Sequence, residues 1–115
     1  MKVPKSVQIG TQIFEIVLRD RKDDGMLNDA IMGYTLGTEN LIIIDSSLKY
    51  SKQRTTLIHE ILHAIHDVFD NTVKPTKKDD FEVWEHYFIG MYEEPLLLIL
   101  RDNPELVDYL RGQSK

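Results

Sequence analysis

Apolar and polar residues alternate along the first third of the chain and recur every three or four residues later, so the period itself predicts strands followed by helices. Val7-Gln8-Ile9 leads through Gly10-Thr11 into Ile13-Phe14-Glu15-Ile16-Val17-Leu18, a β-rich stretch that reads as strand, turn and strand with one covered face. Residues 19–29 (RDRKDDGMLND) are charged, contain a glycine and read as a surface loop. Residues 32–36 and 41–44 flank Gly37-Thr38-Glu39-Asn40, the composition of a hairpin with a four-residue loop. The first 45 residues therefore predict a small, mostly antiparallel sheet.

From Ser51 onward Ile58, Ile61, Leu62, Ile65, Val68 and Phe69 mark one face of a helix that has to pack on that sheet. The polar stretch 71–80 (NTVKPTKKDD) breaks the pattern and reads as a connection. Trp84, Tyr87, Phe88, Met91 and Tyr92 mark the apolar side of a second long helix, which Pro95 is expected to kink by removing one backbone donor. Asn103-Pro104 reads as an N-cap followed by proline at the first helical position, opening a short helix from 104 to about 110. Strands first and helices afterwards place the chain in the α+β class.

Composition narrows the chemistry. The length of 115 residues suits one domain spanning 1–115. The absence of cysteine removes disulfides, a thiol nucleophile and thiolate metal sites, leaving His, Asp and Glu as ligands. The net charge is −5 and the basic residues form no stripe, which argues against direct nucleic-acid binding. The longest purely apolar run, 96–100, is far short of a membrane span, and no apolar run of signal-peptide length follows Met1. A soluble, cytoplasmic protein with no membrane partner is the expectation.

His59-Glu60-Ile61-Leu62-His63 is a complete H-E-x-x-H on the first helix. Four residues at about 100° each bring the two imidazoles to within about 40° of one another, one turn apart, which suits chelation of a single Zn2+. Glu60 lies about 100° around from His59, beside the ion, where a carboxylate can take a proton from metal-activated water as general base. A shuffled chain of this composition yields about 0.007 such motifs by chance. The competing reading is an ordinary amphipathic helix with two surface histidines.

Catalytic zinc keeps three protein ligands and one water. Glu85 follows His63 by 22 residues, near the spacing at which glutamate-type zinc peptidases return a carboxylate to the motif helix. Glu82, His66 and His86 are the alternatives, and a helix-bound His66 would need a strained fan of ligands on one helix. Asp67 and Asp70 follow His63 on the same helix, where they could orient a ligand's second nitrogen or simply be surface charges. Tyr34, Tyr87, Tyr92 and His86 are candidates for stabilising an oxyanion, with no basis for choosing among them. An edge strand, expected at 41–44, would hold an extended peptide by strand addition.

Leu57-Ile58-His59-Glu60-Ile61-Leu62-His63-Ala64-Ile65, followed by Leu100-Arg101-Asp102-Asn103-Pro104-Glu105-Leu106-Val107, resembles the small phage- and prophage-encoded zinc metallopeptidases related to the ImmA/IrrE group. The resemblance extends to Ile42-Ile43-Ile44-Asp45 and the Glu85-His86 pair, and so covers roughly 33–110. The Leu-Arg-Asp-Asn-Pro tail is its more discriminating part, since many zincins share H-E-x-x-H. The chain departs from the family in the aromatic Tyr87-Phe88 and in Pro95. What the resemblance implies is a minimal zincin-like fold, His59, His63 and Glu85 on zinc, Glu60 in catalysis, and a location in the bacterial host cell. It further implies a protein or peptide substrate, by analogy a helix-turn-helix repressor. The alternative function is a zinc-containing docking module of phage origin that binds a protein without turnover, a role that has no need of Glu60 as a base.

Overall fold

Gly10, with a φ of 61°, supplies the left-handed conformation that turns β1 (Ser6–Ile9) directly back into β2 (Gln12–Arg19). The computed structural model describes residues 2–70 and 74–112. After a long loop come β3 (Gly33–Leu36), a single 3-10 turn at Gly37–Glu39, and β4 (Leu41–Asp45). Asn40 closes that turn at a φ of 52°, a conformation asparagine tolerates better than most residues, so the predicted four-residue hairpin loop is present. Three helices follow: α1 (Tyr50–Phe69), α2 (Phe81–Asp102) and α3 (Pro104–Arg111). The class is α+β. No helix among the described residues is long and apolar enough to cross a membrane. The connection predicted at 71–80 is non-helical from 74 to 80, and 71–73 lie outside the described residues.

The expected antiparallel sheet is corrected in one respect. The strand order is β1-β2-β4-β3, with β4 antiparallel to β3 but parallel to β2, so the sheet is mixed. β4 is consequently an interior strand, and the edge expected at 41–44 belongs instead to β3, with β1 at the far side. The physical reason lies in the chain path. A parallel neighbour needs a long crossover, and residues 20–32 carry the chain past the position of β4 before β3 folds back and inserts it. Burial follows from that position, since Ile42, Ile43, Ile44 and Asp45 are all buried and the centre of the sheet is covered on both faces.

On the helical face, Phe14, Ile16, Ile42 and Ile44 meet Leu57, Ile61, Ala64 and Ile65 of α1. Ile99, Leu106 and Tyr109 close the same core from α2 and α3. Each large side chain so buried stabilises the fold by about 1.5–3 kcal/mol relative to exposure. Ile58 and Leu62, expected in the buried stripe of α1, are only half-buried, and the stripe is centred on Leu57, Ile61 and Ala64.

Asp80 caps α2, accepting from the Val83 N–H at 3.1 Å. α2 runs unbroken past the buried Pro95. Asn103 does not cap α3 with its side chain as expected. Its Oδ1 accepts from the Gln8 N–H at 2.8 Å, and its Nδ2 donates to the Gln8 and Ile99 carbonyls at 2.9 Å each. The amide thus pairs with the outer edge of β1 as a strand would, fixing the end of α2 to the sheet.

One close approach positions everything that follows. A Cβ on Gly33 would stand 2.8 Å from the Ile43 carbonyl oxygen and 2.9 Å from the Thr56 Cγ2, so glycine lets α1 lie directly against β3. Gly33→Ala is expected to destabilise the fold by about 1–3 kcal/mol through overpacking, read as a lowered urea midpoint with unchanged slope.

Candidate metal centre

α1 runs along β3 in the same sense: Thr56 packs at Gly33, Glu60 at Thr35 and Asp67 at Gly37. Between them lies a cleft of about 650 Å3, walled on one side by residues 30–35 and on the other by six α1 residues from Thr55 to Asp67. That volume falls within the range of ligand sites. Its lining holds no lysine or arginine.

His59 and His63 both reach into this cleft from exposed positions on α1. Their Nε2 atoms are 3.2 Å apart and the rings meet edge to face at 67°. Two nitrogens bound at about 2.0–2.1 Å to one tetrahedral ion stand about 3.3 Å apart, so the pair is spaced as a chelate. The same spacing accommodates an N–H···N hydrogen bond between neutral rings in opposite tautomers.

Glu60 is 4 % exposed, whereas the His59 side chain is 68 % exposed. The Thr35 hydroxyl donates to Glu60 Oε1 at 2.8 Å and also approaches the Glu60 carbonyl oxygen at 3.1 Å. That bond anchors one carboxylate oxygen, while the other, Oε2, lies 4.0 Å from His59 Nε2. A buried carboxylate is thereby aimed beside the point where the two imidazoles converge. Nothing in the local sequence around Thr35 marks it as part of the site, since its partner is 25 residues away.

The remaining candidates are distributed elsewhere. Glu85 is exposed on α2, and no α2 residue lines the cleft. Tyr87 donates at 3.2 Å to Oδ1 of Asp70, the residue that closes α1, so that side of α2 faces the end of α1. Glu85, two residues earlier and about 200° around, points away. Glu82 and His86 are exposed and approach each other at 4.0 Å. His66 meets Asp70 at 2.9 Å. Asp67 lines the cleft, with its carboxylate against Gly37. Among the described residues no group of three or more His, Asp and Glu side chains is gathered closely enough to hold a metal ion. Of the oxyanion candidates, only Tyr34 contributes to the cleft, and its hydroxyl donates to Asp24 at 2.5 Å.

That last contact belongs to a polar network that sequence reading passed over as a surface loop. Asp24 is nearly buried, accepting from Tyr34, the Met26 N–H at 2.9 Å and Arg19 at 3.1 Å. Asp45 is fully buried, accepting from the Ser47 hydroxyl and N–H and from Arg21 Nε at 2.8 Å. Arg21 reaches on to the exposed Asp29 at 2.6 Å, while the Asn28 Oδ1 accepts from the Ala30 and Ile31 N–H groups and shapes the cleft wall at 30–32. Burial and Asp24 together raise the Tyr34 phenol above its usual value.

No family model, curated protein or solved structure matches the chain.

Hydrogen bonds from Tyr34, Met26 and Arg19 hold the Asp24 carboxyl below its ordinary value of 3.8. For Asp45 burial pushes upward, and the combined donors Ser47 and Arg21 outweigh it, so its value is also lowered. A depressed folded-state value means stability that is complete above the unfolded carboxylate range and lost as pH falls through and below 3.8. Acid titration of the wild-type fold should therefore show a loss of stability below about pH 4 that is shallower in Asp45→Asn, followed by circular dichroism across pH 2–6.

Proposed function

We propose that the protein is a zinc-dependent metallopeptidase of minimal zincin-like architecture. The observation that carries this reading is the convergence of His59 and His63 at 3.2 Å with the buried Glu60 carboxylate beside them, in a cleft bordered by an unpaired strand edge. The likeness of Leu57 to Ile65 and of the Leu-Arg-Asp-Asn-Pro segment to the ImmA/IrrE-related phage peptidases supports it.

In this reading His59 and His63 hold zinc through Nε2. The spacing of the two nitrogens and the absence of a competing cation in the cleft fit that ion. Bound zinc would supply an acidified water and polarise the scissile carbonyl. Glu60 accepts the water's proton at Oε2 and delivers it to the departing amine, while Thr35 keeps Oε1 occupied so that the carboxylate does not rotate away. Glu85 is the third ligand implied by the resemblance. As it faces away from α1, its participation requires the first turns of α2 to rotate toward the cleft, and a two-histidine site completed by water or substrate is the arrangement without that rotation.

β3 holds the substrate. The Asp45 N–H donates to the Met32 carbonyl at 2.9 Å, so in the alternating ladder the backbone groups of Met32 and Tyr34 point to β4 and those of Gly33 and Thr35 point outward. An extended peptide added there places its backbone within reach of the histidine pair. A helix-turn-helix repressor is the target class that the resemblance suggests, with its cleaved segment entering as a strand.

The protein should bind one equivalent of zinc by metal analysis, and His59→Ala or His63→Ala should lose it. Glu60→Gln should retain the metal and reduce cleavage of a proteome-derived peptide mixture by about 10²–10⁴-fold. Glu85→Gln separates the two ligand sets, weakening zinc affinity only if α2 contributes. Protein that stays metal-free in zinc-replete buffer overturns the reading, and a Glu60→Gln variant indistinguishable from wild type transfers it to a docking module.

A further inference from the structure

The cleft has two chemically different ends. Asp67 stands at one, its carboxylate packed so closely on the turn after β3 that a Cβ on Gly37 would stand 2.5 Å from its Oδ2, inside van der Waals contact. Among the described residues it has no hydrogen bond or ion pair, unlike Asp70, which is engaged by His66, Lys74 and Tyr87. At the other end the wall is Ala30, Ile31 and Met32, with Ile31 37 % exposed. His59, His63 and Glu60 lie between.

We infer that the cleft selects an extended peptide bearing a lysine or arginine on the amino side of the bond facing His59 and His63, and an apolar residue on its carboxyl side. This rests on the reading of the cleft as a peptide site. Antiparallel pairing on β3, the slightly more stable arrangement, runs the peptide from the Gly37 end toward the Gly33 end. Thr35 marks the level of Glu60, and Gly37 lies two residues, about 6.6 Å, further along. A side chain one or two positions before the central bond therefore reaches Asp67, and the residues after the bond pass Met32 and Ile31. With no lysine or arginine in the lining, Asp67 meets no competitor for a cationic partner. An acidic side chain at the same position meets only repulsion.

The test uses the full-length, zinc-loaded protein in two arms. In the first, cleavage of a proteome-derived peptide mixture is mapped by mass spectrometry for the wild type and for Asp67→Lys. In the second, Glu60→Gln protein, with and without Asp67→Lys, is titrated with labelled decapeptides that differ only in lysine or glutamate before a central apolar pair. Zinc content and thermal melts certify that each variant is folded. A preference for lysine of about threefold to fivefold, the scale of an exposed ion pair, is expected, and Asp67→Lys should reverse it in both arms. Equal affinity for the two decapeptides, or a preference that Asp67→Lys leaves unchanged, overturns the inference. Binding with the expected preference but no cleavage counts against the hydrolase reading alone, because the binding arm decides the charge selection by itself.

Discussion

The contact between the Thr35 hydroxyl and the Glu60 carboxylate is the interaction on which the site depends. It joins an edge strand to the helix that carries both histidines, and it does so inside the core boundary: Glu60 sits in the buried stripe of α1 between Leu57 and Ile61. A carboxylate at that position interrupts the apolar stripe, and the Thr35 hydroxyl is its one hydrogen-bond donor among the described residues. An apolar residue there would continue the packing of Leu57, Ile61 and Ala64 without penalty. Where a sequence breaks its own hydrophobic pattern and supplies just one donor, the compensation is to be sought in function. The close approach permitted by Gly33 makes that donor available, since any side chain at 33 would lift α1 away from β3.

Much of this architecture was legible in the sequence, for reasons that are local. The period of two in residues 7–18, the change to three and four after Ser51, the Gly37-Thr38-Glu39-Asn40 loop and Asn103-Pro104 each report on neighbouring residues, and the elements they mark are present within a residue or two. Sheet order was not legible. Nothing in Leu41-Ile42-Ile43-Ile44 says whether the strand lies at an edge or in the middle except its unbroken apolar run, which is the signature of burial on both faces and the one signal that could have placed β4 inside. The parallel pairing with β2 depends on a crossover whose path is set by side-chain contacts from Arg21 and Asp24, far from either strand's own pattern.

The same division runs through the site. His59, Glu60 and His63 share one helix, so the geometry of the helix alone brings them together. Thr35 was missed because hydrogen bonds across 25 residues leave no periodic trace. The position of Glu85 depends on how α2 is turned about its axis, and that is decided by the burial of Met91, Pro95 and Ile99 and by the Tyr87–Asp70 bond. A counted spacing of 22 residues cannot register a rotation of the helix that carries the last of them.

The loop at 20–32 deserves to be read as part of the centre and not as its surroundings. Thirteen residues without regular structure are unusual in a domain this small, and such loops generally serve a site. This one is held by ion pairs and hydrogen bonds to two buried carboxylates where a strand would be held by its ladder: Asp45 and Asp24 accept from Arg21, Arg19 and Tyr34, and Arg21 spans from the end of β4 to the exposed Asp29. Such clamps are directional and act over a few atoms, so they fix the loop at chosen points, and local turns close the backbone between them: Asn28 Oδ1 accepts from the Ala30 and Ile31 N–H groups, and the Asn28 N–H donates to the Ile31 carbonyl. The segment so turned, 30–32, is the apolar wall of the cleft, and the Asp45 N–H to Met32 carbonyl bond joins it to β4. Polar contacts made by Arg19, Arg21 and Tyr34 thus tie down the loop whose last residues form one wall of the space beside the histidines, next to the edge of β3.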